Sequence, residues 1–237
     1  MNTQPTNGRF TLSGLKRPEV ITSKTKQRVI FVRDISLSMD DDNKKNHASA
    51  ATRDLLTELA LPENKDGFVV GVVDYSSGAQ IVAPFAPASE LEGKLSDIVT
   101  DEYTNISAGL ELARSMLEQS PDPVEGKERF LKPVLILFTD GEHNHGPDPL
   151  VEANKVKQFA DLVTVAFGDD ADLDLLRSMA NSPEHCYRCS EGRELRAFLA
   201  AVGETLSGSL QQGQNATQPL GNIDVANETL FSTDGSC

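Results

Sequence analysis

Apolar and polar positions follow two rhythms along this chain of 237 residues, and the switches between them divide it into elements. Residues 28 to 33, 68 to 74, 133 to 139 and 162 to 167 are nearly continuous apolar runs, the pattern of strands buried on both faces. Between them apolar residues recur every three or four positions. Ala48, Ala51, Leu55, Leu56 and Leu59, for example, line one face of a helix over 46 to 61. The same reading gives a strand over 79 to 85, helices over 88 to 98, 105 to 119, 149 to 160 and 172 to 180, a strand over 184 to 189 and a last helix over 191 to 206. Strands that alternate with helices predict a doubly wound, Rossmann-like α/β fold, a mostly parallel six-stranded sheet with helices on both faces. The short junction Tyr75-Ser76-Ser77-Gly78 leaves room only for a hairpin, so one edge strand runs antiparallel.

The ends follow neither rhythm. Residues 1–25 are rich in Thr, Asn, Gly, Pro and Lys and read as a flexible N-terminal segment; residues 207–237 read as a disordered polar tail, leaving 26–206 as the domain. A formal net charge of -14, from 22 basic and 36 acidic residues, argues against nucleic acid or an anionic membrane as partner and favours cations. No run approaches the roughly 18 apolar residues of a membrane span, and the first residues have no signal-like apolar core, so the expected location is cytoplasmic. Three cysteines give no disulfide framework and suit a reducing compartment.

The candidate chemistry lies at strand ends. Asp34-Ile35-Ser36-Leu37-Ser38 follows the first strand, Asp140-Gly141-Glu142 follows the strand over 133 to 139, and Thr104 opens the helix between them. Parallel strands joined by right-handed crossovers bring their carboxyl ends to one edge, where open α/β sheets bind ligands. Asp34, Ser36, Ser38, Thr104 and Asp140 can therefore meet. An all-oxygen set without His or Cys favours Mg²⁺, or Mn²⁺ or Ca²⁺, over zinc. Each part has a plainer reading, as helix caps or a turn; the three together call for a common ligand. A zinc set from His143, His145, His185, Cys186 and Cys189 is opposed by strand geometry, because cysteines an odd number apart point to opposite faces.

The order D-x-S-x-S, T-x-I-x-x-G-L and T-D-G-E resembles the metal-ion-dependent adhesion site of von Willebrand factor type A domains, over about residues 26 to 206. The resemblance implies that Ser36, Ser38 and Thr104 hold Mg²⁺ directly, with Asp34 and Asp140 bound directly or through water. A Glu or Asp from a partner protein completes the coordination. Leu37 stands where the family most often has Gly. The run Asp40-Asp41-Asp42 reads either as a helix amino terminus or, by resemblance to integrin beta subunits, as a second metal site in which Asp41 and Asp42 are ligands. The function implied is a metal-dependent protein-protein interaction module rather than an enzyme, working in a multiprotein bacterial complex. Similar stand-alone bacterial proteins serve in tellurite- and stress-resistance clusters. No Lys or His occupies the motif to act as a general base. The alternatives are a subunit of an AAA+ ATPase or chelatase-type machine, and a Mg²⁺-dependent hydrolase of haloacid-dehalogenase type; the latter family uses D-x-D, and the third position here is Ser36.

Overall fold

A computed structural model describes residues 24–120 and 128–223, so most of the expected N-terminal segment, and residues 224–237 of the expected tail, lie outside the described residues. Seven strands form one sheet: β1 (Lys24–Asp34), β2 (Phe68–Tyr75), β3 (Ala79–Pro87), β4 (Glu128–Phe130), β5 (Val134–Thr139), β6 (Asp161–Phe167) and β7 (Cys186–Cys189). The order across it is β3-β2-β1-β5-β6-β7, parallel except for β2 and β3, which pair antiparallel at the edge. That is the doubly wound arrangement expected, with one strand more.

The additional strand, β4, pairs in parallel with the first residues of β1, from Lys24 against Glu128 to Lys26 against Phe130. The chain stays beside β1 after β4: the Leu131 N–H donates to the Lys26 carbonyl at 2.8 Å, and the Gln27 side chain donates to the Lys132 carbonyl at 3.0 Å. β4 and β5 are thus two parts of one strand, interrupted where Pro133 has no N–H for the ladder. Polar Glu128 and Arg129 hide this strand from an apolar pattern.

Among the described residues seven α-helices, α1 (Lys44–Leu59), α2 (Ala88–Leu91), α3 (Ile106–Gln119), α4 (Pro149–Val156), α5 (Leu173–Met179), α6 (Gly192–Gln212) and α7 (Thr217–Leu220), cover the sheet. On one face Val29, Phe31, Ile136, Phe138 and Val163 pack with Leu55 and Leu59 of α1 and Phe198 and Val202 of α6. On the other, Ile30, Val32, Leu135 and Leu137 meet Leu110 of α3, Val156 of α4 and Leu176 of α5. Successive residues of β1 therefore feed opposite layers, which explains why its sequence is apolar without interruption.

Two expectations need correction. The helix expected over 88 to 98 is only α2. Gly93 takes a left-handed φ of 71°, and the chain beyond it is irregular although Ile98 stays buried, its N–H held by the Ser49 hydroxyl at 3.1 Å. Helical spacing of apolar residues was satisfied there by packing alone. The domain also does not end at 206: α6 continues to Gln212, and Leu210, Ala216 and Leu220 are buried in the core under that helix. Polar residues in this stretch have fixed partners. Asn215 accepts from the Lys132 N–H at 2.9 Å, the Thr217 carbonyl lies 2.7 Å from His185 Nε2, and the Leu220 carbonyl accepts from the Tyr187 hydroxyl.

Leu220→Ala is therefore expected to cost about 2–5 kcal/mol in urea unfolding, the range for emptying a fully buried leucine site. A cost near zero would show that residues 207–223 contribute nothing to the domain.

Candidate metal centre

β1 and β5 are neighbours in register from Val29 against Val134 to Arg33 against Phe138, so their ends place Asp34 and Asp140 side by side. Both carboxylates are completely buried, at 0% exposure, and not solvent-facing as strand ends usually are. Asp34 is wrapped in donors. Its Oδ1 accepts from the Ser36 N–H at 2.8 Å, and its Oδ2 accepts from the Tyr75 hydroxyl at 3.3 Å and from the Thr139 hydroxyl. Burial pushes the Asp34 carboxyl up to about 6; hydrogen bonds from Ser36 and Thr139 hold it lower, and the Asp140 charge adds a smaller upward push.

The hydroxyls are not spent as caps. Ser36 stands at the N-terminal boundary of a 3-10 segment, Leu37–Asn43, yet makes no side-chain cap there. Its Oγ lies 3.0 Å from that of Ser38, and the Ser38 hydroxyl donates to Asp140 Oδ1 at 2.7 Å. The α3 cap is Asn105, whose side chain accepts from the Ala108 N–H at 3.1 Å, so buried Thr104 is left free of that task. Gly141 keeps the space between these groups open. A Cβ there would lie 3.3 Å from Ser38 Oγ and 3.8 Å from Thr104 Oγ1.

Three loops are laced together around this space. The Thr104 N–H donates to Asn144 Oδ1 at 3.0 Å while the Thr104 carbonyl accepts from the Asn144 N–H at 3.1 Å, tying the loop after β5 to the start of α3. His143 is half-buried and its Nδ1 accepts from the Ile106 N–H at 3.3 Å; exposed His145 stacks on Tyr103. The chain beyond β1 is pinned to the segment before α3, since the Asp101 N–H donates to the Ile35 carbonyl at 2.7 Å. Beneath the site, Arg33 grips both oxygens of Asp74 at 2.7 and 2.9 Å, a buried pair bridging β1 and β2.

Sequence reasoning missed one charged participant. Lys44, the first residue of α1, donates from Nζ to Asp140 Oδ2 at 2.9 Å with only 9% of its side chain exposed. Tyr75 and Thr139, the latter inside T-D-G-E, also act at the site through their hydroxyls on Asp34. Asp41 and Asp42 are exposed in the 3-10 segment, and Asp40 instead bonds the Thr100 hydroxyl at 2.7 Å and pairs with Lys45. Cys189 is buried beneath α6 and its thiol is pushed up to about 12 by burial, whereas Cys186 packs on the opposite layer. Among the described residues no three His, Cys, Asp or Glu side chains gather as a metal cluster; Cys237 lies outside them.

The donors fit a hard divalent cation. Two buried carboxylates carry more negative charge than one ammonium neutralises, all the remaining donors are hydroxyl oxygens, and Gly141 brings no side chain between Ser38 and Thr104. Asp34, Ser36, Ser38, Thr104 and Asp140 are the residues that can hold it.

The family model for the von Willebrand factor type A domain matches residues 29–201. Inter-alpha-trypsin inhibitor heavy chain H6 of Homo sapiens is 30% identical over 162 residues, 65% of this chain and 12% of that protein. An uncharacterized protein of Mycobacterium tuberculosis is 28% identical over 122 residues, 52% of this chain and 18% of its own length. The chain therefore spans less than a fifth of either relative. Among solved structures, proximal thread matrix protein 1 from the mussel byssus, with a zinc-occupied MIDAS motif, superposes with a TM-score of 0.61 at 23% identity, covering 79% of this chain and 47% of that one. The vWF domain of the type V pilus tip protein Mfa5 from Porphyromonas gingivalis gives 0.65 at 14% identity, covering 79% and 97%. At these identities the structural likeness is one of fold.

The raised Asp34 carboxyl sets a pH dependence. Its folded value of about 6 exceeds the ordinary 3.8, so the folded protein holds the proton more tightly and the stability this contributes is present below about pH 4 and lost as pH rises through 6. In EDTA, the stability of the unsubstituted protein relative to Asp34→Asn should fall by about 2 kcal/mol between pH 4 and 7.5, measured by urea unfolding. A difference that stays constant with pH would contradict the buried, proton-retaining carboxyl.

Proposed function

The chain belongs to the von Willebrand factor type A domain family, and from that premise we propose that it is a metal-dependent protein-binding module. A Mg²⁺ or similar ion held by Ser36, Ser38 and Thr104, with Asp34 and Asp140 supplying negative charge, receives a Glu or Asp carboxylate from a partner protein. The observation that carries this reading is the pair of fully buried carboxylates at adjacent strand ends, facing hydroxyls that cap nothing. Buried charge of this kind calls for a cation. The zinc-occupied motif of the mussel byssus protein supports a divalent ion at this position of the fold, and the all-oxygen donor set here favours Mg²⁺ or Mn²⁺ over zinc.

A binding role fits the chemistry better than hydrolysis. Asp34 as a nucleophile would have to leave three hydrogen-bond donors and a fully buried position. Its nearest motif neighbour is Ser36, not a second acid that could serve as a general acid. Component status in a larger bacterial assembly, including an ATPase-driven one, belongs to the same proposal: the partner's carboxylate is the part of the coordination shell this chain does not supply.

Calorimetric titration with Mg²⁺ and Mn²⁺ tests the site. Asp140→Asn is expected to weaken binding at least about tenfold while the domain stays folded, and a pull-down should retain its partner in Mg²⁺ and release it in EDTA. Thr104→Ala should weaken partner retention more than Mg²⁺ affinity, if the threonine ligates most strongly when the carboxylate arrives. Full affinity in Asp140→Asn, or retention indifferent to EDTA, would overturn the proposal.

A further inference from the structure

Lys44 makes the contact with Asp140 that a metal would make, and it has somewhere else to go. Its Nζ sits 2.9 Å from Asp140 Oδ2 and 3.8 Å from Oδ2 of Asp170, a side chain that is 86% exposed. On the far side of the ammonium opens a cavity of about 590 Å³, bounded by Asp42, His47, Asp169, Asp170 and Glu191 among others. The route is kept clear by Gly168 at the end of β6. Its φ of +91° suits glycine, and a Cβ there would lie 3.1 Å from Lys44 Cε and 3.3 Å from Nζ. The chain is also bent to deliver this side chain: Asp42 and Asn43, immediately before it, both take left-handed φ values of 48° and 61°. These residue types tolerate that conformation best after glycine.

The contrast with Arg33 shows what this arrangement is for. Arg33 is a planar fork closed on both oxygens of one buried acid, Asp74, and is a fixed strut. Lys44 is a point charge on a flexible stem, touching one oxygen, with a second carboxylate within reach on the solvent side. An ammonium and a divalent ion on one carboxylate repel each other strongly at this range. Resting on the metal-centre reading above, we propose that Lys44 is an internal cation that competes with the divalent ion for Asp140 and withdraws into the adjoining cavity, toward Asp170, when the ion enters. Metal binding at this centre is then an exchange of one cation for another, and Lys44 sets its strength.

The test compares Mg²⁺ titrations of the full chain with those of Lys44→Met, Asp170→Asn and the double variant, together with melting in EDTA. Lys44→Met should bind Mg²⁺ at least tenfold more tightly and melt lower in EDTA, where Asp140 has lost its counter-charge. Asp170→Asn should weaken Mg²⁺ binding severalfold in the presence of Lys44 and leave it unchanged in the Lys44→Met background. Mg²⁺ affinity in Lys44→Met equal to or weaker than that of the unsubstituted protein would overturn the exchange and leave Lys44 a fixed strut. Absence of Mg²⁺ and Mn²⁺ binding in both proteins would instead overturn the metal-centre reading itself. Should Lys44→Met not fold, the Lys44 ammonium signal in a ¹H–¹⁵N spectrum decides: displacement on adding Mg²⁺ supports the exchange, and an unmoved signal refutes it.

Discussion

Burying Asp34 and Asp140 together at the ends of β1 and β5 is the constraint around which this sheet edge is built. An ionised carboxylate removed from water is tolerated only with donors or a counter-charge, and the two acids meet that requirement differently. Asp34 is satisfied by neutral donors from three elements: the Ser36 backbone, Tyr75 on β2 and Thr139 on β5. Asp140 is satisfied by one hydroxyl and one ammonium, both from the chain that follows β1. Asp34 is thereby fixed in orientation, while the partners of Asp140 sit on side chains that can turn.

The rest of the edge keeps these groups in place. The Arg33–Asp74 pair locks β1 to β2 directly beneath the site, and the reciprocal bonds between Thr104 and Asn144 hold the start of α3 against the loop after β5. With Ile35 bonded to both Tyr75 and Asp101, every loop carrying a candidate ligand is tied to another. Such cross-bracing fixes the backbone and leaves hydroxyl rotation and the Lys44 stem as the adjustable parts, a suitable division for a centre that must accept a cation without rearranging the fold.

Much of this was legible in the residues, for identifiable reasons. The apolar runs of β1, β5 and β6 are unbroken because both faces of those strands are covered, and the Tyr75–Gly78 junction is too short for anything but the antiparallel hairpin. The five candidate ligands were readable because parallel topology brings strand ends together. What stayed hidden was set by tertiary partners. Asn215 and Thr217 look like tail residues until Lys132 and His185 are beside them, and Glu128 and Arg129 look like loop until β1 supplies the ladder. Lys44 looks like an ordinary residue at a helix start. Only the left-handed turn at Asp42 and Asn43 aims it inward at Asp140, and no spacing rule in a single sequence reports that.

The most direct measurement of the central claim is anomalous diffraction from crystals of this protein soaked in Mn²⁺, collected near the manganese edge. The account predicts a single strong peak over Gly141, within coordination distance of Ser36, Ser38, Thr104 or Asp140 oxygens, with the Lys44 ammonium turned away from Asp140. No peak at that edge, or a peak with Lys44 still bonded to Asp140, would contradict it.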